Sequence, residues 1–183
     1  MIKYTTSITE NDLLGILALQ KNNLPSSLSE EEIAREGFVT VVHSFEALKK
    51  MNDIEQHVIA KDDDKVIAYL LAMTSTSKAE FPVLFSMFEN FDEIELYGKP
   101  LSTYKYIVVG QVCVAKGYRG RGILDNCYTA YKNQFKNKYD FAVTEINVKN
   151  QRSINAHKRI GFYEIHRFTS SDNVEWSIVV WEW

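Results

Sequence analysis

At 183 residues, 45% hydrophobic and 25% charged, with three prolines and eight glycines, the chain has the composition of one globular domain able to bury a sizeable core. A formal charge of −3 without a lysine or arginine tract argues against nucleic acid as the main partner, because phosphate-backbone binding needs a clustered basic surface. Two cysteines without C-x-x-C or paired-histidine spacing exclude a disulfide framework and give no reason to expect a metal. No apolar run reaches membrane-spanning length and the N-terminus is too polar for a signal peptide, so no membrane partner and a cytoplasmic location are expected.

In chain order, Ile2, Tyr4, Thr6 and Ile8 alternate as a first strand, Leu13, Leu14, Ile16 and Leu17 open a helix, and Ser29 with Glu32 forms a capping box for another. Residues 58–61 and 66–73 flank Asp62, Asp63 and Asp64 as a hairpin. The stretch 75–104 is longer than a link between neighbouring strands should be, and Phe81, Leu84, Phe85, Phe88 and Phe91 give it a helix-like apolar stripe, the pattern of core. A strand carrying Tyr106, Gln111, Val112, Cys113 and Val114 follows. Beyond it come a glycine-rich turn, a helix with Leu124, Tyr128, Tyr131 and Phe135 on one face, and a strand over residues 145–148. Residues 150–160 read as a short helix with Asn150 as N-cap and Gly161 as its stop. The closing strand, residues 174–183, is apolar on both faces: Trp176 and Ile178 on one, Trp181 and Trp183 on the other. That suits a buried strand or the seam of a homodimer. The order predicts an α/β fold with a mixed, twisted sheet flanked by helices.

The turn is the most informative segment. Gly120 and Gly122, set among Arg119 and Arg121 between a strand and a helix start, make an anion site. The first turn of a helix leaves backbone N–H groups without partners, and glycines let a phosphate approach the backbone closely. A pyrophosphate fits best. Gly117 and Gly122 have Walker A spacing, but Ile123 and Leu124 stand where Lys and Ser or Thr are required. A dinucleotide fingerprint would need a small residue at Asp125.

At these residues the chain resembles the GNAT superfamily of N-acetyltransferases, whose cofactor loop follows a core strand with the pattern R/Q-x-x-G-x-G/A. Arg119 and Gly122 match its first and fourth positions, Val112 and Val114 match the apolar strand, and Leu124 departs from the small sixth residue. A second block, N-x-x-A/S-x-x-x-Y-x-x-x-G-F, is matched by Asn150, Ser153, Gly161 and Phe162, with His157 where the family has tyrosine. The resemblance implies a single GNAT-like domain over residues 1–183, with about seven strands. It implies acetyl-CoA as co-substrate, held by Val112, Cys113, Val114, Arg119, Gly120, Arg121, Gly122 and Ile123, with Asn150 and Ser153 turned toward its pantetheine arm.

The reaction so implied is direct transfer of an acetyl group to a primary amine on a small molecule or peptide. It needs a base for the amine and is helped by an acid for the departing thiolate. His157 stands at the acid's position, and its alternative is a packed, hydrogen-bonded histidine. Glu145 is the candidate base, sharing a strand face with Asn147, and its alternative is a solvated strand carboxylate. Gln111 and Tyr106 either orient an acceptor or fill the sheet. The insertion before the cofactor strand is the candidate wall of the acceptor pocket. Acidic clusters at Glu30–Glu32, at 62–64 and at Glu89, Asp92, Glu93 and Glu95 either favour a cationic amine or mark helix starts and turns. Leu124 and the missing tyrosine leave a second reading, a GNAT-like domain that binds an acyl-CoA or a protein partner without catalysis.

Overall fold

The computed structural model describes residues 1–76, 88, 89, 91 and 93–183. Its elements are β1 (Ile2–Thr6), α1 (Glu10–Lys21), α2 (Glu30–Glu36), α3 (Phe45–Ile54), β2 (Val58–Asp62), β3 (Lys65–Met73), a small hairpin of β4 (Glu95–Leu96) and β5 (Lys99–Pro100), β6 (Tyr106–Val114), α4 (Ile123–Phe135), β7 (Phe141–Asn147), α5 (Gln151–Ile160), β8 (Tyr163–Thr169) and β9 (Glu175–Glu182). Seven strands form a mixed sheet in the order β1-β2-β3-β6-β7-β9-β8. The sheet is antiparallel at β1/β2, β2/β3, β7/β9 and β8/β9, and parallel where Tyr106–Val108 of β6 meets Phe141–Val143 of β7. The chain divides into two compact units, Met1–Met73 with Val109–Gln134, and Thr74–Val108 with Phe135–Trp183.

In the first unit the start of α1 is set by a capping box not anticipated from the sequence: Thr9 accepts from the Asp12 amide, and Asp12 Oδ2 accepts from the amides of Thr9 and Ile8. The first strand therefore ends at Thr6, and Ile8 lies in the cap, 70% exposed. Asp12 Oδ1 also accepts from Lys61 Nζ at 2.9 Å. Burial would raise the Asp12 carboxyl, but Lys61 and the two amides hold it down at about 2. Helix α1 buries Leu13, Ile16 and Leu19, while Leu14 points outward. The Ser29–Glu32 box and the 63–64 turn stand as expected, the latter with Asp63 at φ 51°. Strand β3 is buried from Val66 through Met73, as a run with apolar groups on both faces should be.

In the second unit Phe88 and Phe91 are buried and meet edge to face, and Phe91 meets Tyr106 in the same way. Phe81, Leu84 and Phe85 lie outside the described residues. Strand β9 pairs on both edges, with β7 and β8, which is the buried-strand arrangement. Its aromatic face is occupied from within the unit. Trp181 stacks on Phe162 at 5.6 Å, and Trp183 donates its indole N–H to the Tyr139 carbonyl.

Candidate active site

In the first unit β6 carries the chain to the phosphate-loop candidate. Val112 and Val114 are half-buried on one face, whereas Gln111 and Cys113 point the other way and are buried. Cys113 thus offers a ligand only its backbone, and burial pushes its thiol up to about 12. Gln111 is already engaged: its oxygen accepts from Tyr69 Oη at 2.6 Å and its amide donates to the Val41 carbonyl at 2.8 Å. It braces the sheet rather than being free to meet an acceptor.

After a 3-10 turn at Lys116–Tyr118, Gly120 and Gly122 adopt φ values of 73° and 72° and lead into the 13-residue α4. A Cβ at position 120 would meet nothing within 4 Å, and one at 122 only Asn126 Nδ2 at 3.9 Å. The glycines are therefore required by their left-handed backbone and not by crowding within the protein. The open space above them suits the close approach of an anion to backbone N–H groups at a helix start. Ile123 is buried, so its side chain belongs to the core and only its amide is available there. Leu124, the departure from the family pattern, is half-buried in the same first turn.

The two arginines differ. Arg121 is exposed, with its guanidinium carbon 5.7 Å from the centre of the Tyr118 ring. Arg119 is built into the protein: Nε donates to the Val114 carbonyl at 2.9 Å and Nη2 to Asn23 Oδ1 at 2.6 Å. Two further ties hold the turn, Lys116 to Glu32 at 2.6 Å and Tyr118 Oη to Asp62 Oδ2 at 2.8 Å. An exposed ion pair is screened by solvent, whereas a hydrogen bond from a charged donor to a buried acceptor is not. The Arg119 bond to Asn23 is the stronger anchor. These partners also give the acidic runs a structural use: Glu32 belongs to a helix start and Asp62 to a strand end.

In the second unit Asn150 caps α5, accepting from the Ser153 amide at 3.2 Å, and Gly161 ends it at φ 116°, both as expected. Ser153 and His157 lie on the same helix face. His157 is buried, edge to face with Phe162, and its Nδ1 lies 2.8 Å from the Ser153 carbonyl and 3.3 Å from Ser153 Oγ. The carbonyl can only accept, so Nδ1 carries the proton. Burial lowers the imidazole to about 4, leaving it neutral near pH 7 with its N–H committed to the backbone. This geometry favours the packed histidine over the acid.

Glu145, on β7 opposite Ile178 of β9, carries the opposite signature. Its Oε2 is buried without a hydrogen-bond partner among the described residues, and burial pushes the carboxyl up to about 7. A carboxylate poised there can take a proton near neutral pH. Among the described residues no three His, Cys, Asp or Glu side chains are grouped to hold a metal, and no helix is long and apolar enough to cross a membrane.

The fold is a mixed sheet in which a glycine turn leads from a core strand into a helix, and sequence comparison identifies its family. The profile of the acetyltransferase (GNAT) family matches residues 28–162, so the chain belongs to that family and is an acetyl-CoA-dependent acyltransferase. Solved structures agree on the fold. A chain of the NatC complex bound to Gag peptide and CoA is 15% identical, with 100% of this chain and 98% of that one covered at a TM-score of 0.65. The ribosomal-protein-S18-alanine N-acetyltransferase from Escherichia coli is 11% identical, with 100% and 94% covered at 0.63. Arabidopsis thaliana NAA60 in complex with a bisubstrate analogue is 13% identical, with 100% and 98% covered at 0.67. A sequence comparison with curated proteins found no match.

The sequence did not single out Asn23. Its signal is faint: two adjacent asparagines after the last turn of α1, ahead of Leu24 and Pro25, read simply as a helix end.

Proposed function

We propose that the chain moves the acetyl group of acetyl-CoA directly to a primary amine, with Glu145 as the general base. It would act as one domain made of both units, between which the chain passes three times. The observation that carries the catalytic reading over a purely binding role is the unpartnered, buried Oε2 of Glu145, held near pH 7 by desolvation. A domain that only bound acyl-CoA would have no use for such a group.

Bound acetyl-CoA supplies an acetyl group activated as a thioester. The backbone amides around Gly120 and Gly122 would hold its pyrophosphate, with Arg121 adding charge, Arg119 fixing the loop, and Val112 and Val114 lining the strand. Asn150 and Ser153 would border its pantetheine arm. Glu145 takes a proton from the acceptor's ammonium, freeing the nitrogen lone pair for attack. His157 stays neutral and orients α5 from within the core, so the thiolate takes its proton from elsewhere, water being sufficient for a leaving group of that acidity. The acceptor class is a small-molecule or peptide amine; NatC and NAA60, bound to a peptide and to a bisubstrate analogue, support an amine acceptor in general. As a consumer of acetyl-CoA the enzyme is expected in the cytoplasm.

Calorimetric titration of the purified protein with acetyl-CoA, beside NAD and ATP, tests this reading. Selective binding near micromolar, about −8 kcal/mol, is expected. A folded protein that ignores acetyl-CoA would sink it.

A further inference from the structure

We infer that Asn23 is a positioning residue for the cofactor loop, acting through Arg119. The inference rests on the reading of residues 119–122 as that loop. The glycines there have no side chains to hold them in place, and added Cβ atoms would find almost no neighbours. Amides that bind a phosphate must nevertheless converge before the ligand arrives, or binding loses what their ordering costs. The fixing group has to sit at the loop's edge.

Arg119 immediately precedes Gly120 and is bound at both ends of its guanidinium, to the last residue of β6 through the Val114 carbonyl and to Asn23. Asn23, only 5% exposed, is itself fixed on three further sides. Its Nδ2 donates to the Leu19 carbonyl at 2.8 Å, its amide to the Gln20 carbonyl at 2.9 Å, and its own carbonyl accepts from Val39 at 3.1 Å. Chemistry fixes the amide's orientation. A guanidinium only donates and a carbonyl only accepts, so Oδ1 must face Arg119 and Nδ2 must face Leu19. The ends of α1 and β6 thus meet at the guanidinium that starts the loop, while Val39, after α2, holds Asn23 through its backbone carbonyl. The other ties, Lys116 with Glu32 and Tyr118 with Asp62, hold the 3-10 turn before it.

The test is titration with CoA of the wild-type protein and of Asn23→Ser, Arg119→Ala and the Asn23→Ser/Arg119→Ala double variant, with Asn23→Thr in reserve. Serine can still donate to the Leu19 carbonyl, as Asn23 does, but is too short to reach the guanidinium. The helix end is thereby preserved while the contact is lost. Losing that contact in Asn23→Ser is expected to raise the Kd for CoA about tenfold. In the double variant the serine should add almost nothing to Arg119→Ala, because Asn23 acts only through that residue. If wild type binds CoA, either an unchanged Kd in folded Asn23→Ser or full additivity in the double variant overturns this inference alone. If Asn23→Ser does not fold, Asn23→Thr, whose hydroxyl can make the same bond to the Leu19 carbonyl and is equally short of the guanidinium, decides in its place, and an unchanged Kd there overturns the inference. Wild-type protein that does not bind CoA overturns the loop reading and this inference with it.

Discussion

Glu145 is the one carboxylate in the described structure with a buried, unpartnered oxygen, and burial moves its ionisation from 4.5 to about 7. Desolvating an ionised carboxylate without a partner opposes folding, so the group signals a use elsewhere. The sign follows from the direction of the shift. The unfolded chain ionises near 4.5 and the folded one near 7, so stability is lost as pH rises through that window. Glu145→Gln removes the penalty and should raise the Tm at pH 8. The same change should lower kcat about 10² to 10⁴-fold and flatten the rise of rate with pH near 7. The Kd for acetyl-CoA should stay within about twofold of wild type, since a base makes no cofactor contact of its own. A pH–rate profile beside a thermal melt reads all of this, and an undiminished kcat would remove Glu145 from the mechanism. The sequence allowed Glu145 to be named, because residue type and strand parity are local properties. It did not allow its environment to be named, because desolvation depends on the strands and helices that close over it.

Among elements, the strand, turn and helix at 106–135 were the most legible, since caps, glycine positions and apolar periodicity are written within a few residues of one another. The same holds for α5, whose Asn150 cap and Gly161 stop both form as the sequence suggests. What local pattern could not supply was the use of each side chain. Arg119 read as a phosphate-binding charge, yet its guanidinium joins Asn23 across a separation of 96 residues. Cys113 read as part of the cofactor strand, yet faces the core. At the glycines the prediction is sharper: at φ 72°, Gly122 is replaced by an L-residue only at a cost of about 1 to 2 kcal/mol. Gly122→Val should lower the Tm by about 2 to 8 °C through backbone strain, nothing but Asn126 lying near that position, and its side chain, filling the space a phosphate needs, should weaken acetyl-CoA binding about tenfold or more. Titration checks it, and normal affinity would remove the turn from the cofactor site.

Over the whole molecule, the broad order of strands and helices followed from the sequence, though α3 and the β4–β5 hairpin did not, and the place of β9 between β7 and β8 and the division into two units depend on non-local pairing. Non-local packing also creates an acid sensitivity invisible in a count of four histidines. His43, His57 and His157 are buried, and burial lowers each to about 4. His57 shows the consequence. Its Nδ1 accepts from the Ala72 amide and its Nε2 lies 3.2 Å from the Leu48 carbonyl, so protonation would turn an acceptor into a donor against an N–H. The unfolded chain binds these protons near 6.5 and the folded one near 4. The stabilisation is therefore complete above 6.5 and is lost as pH falls toward 4. Each histidine contributes a slope of at most about 1.4 kcal/mol per pH unit, against a total stability of roughly 5 to 15 kcal/mol. Glu145 opposes them over part of the window, but it is one group against three. Asp12, held at about 2, adds its own loss only at lower pH. The Tm should therefore fall steeply between pH 6.5 and 4, well before most carboxylates are neutralised. His57→Gln, able to meet both backbone groups without titrating, should make the slope shallower; an unchanged slope would mean that His57 is not held neutral in the folded protein.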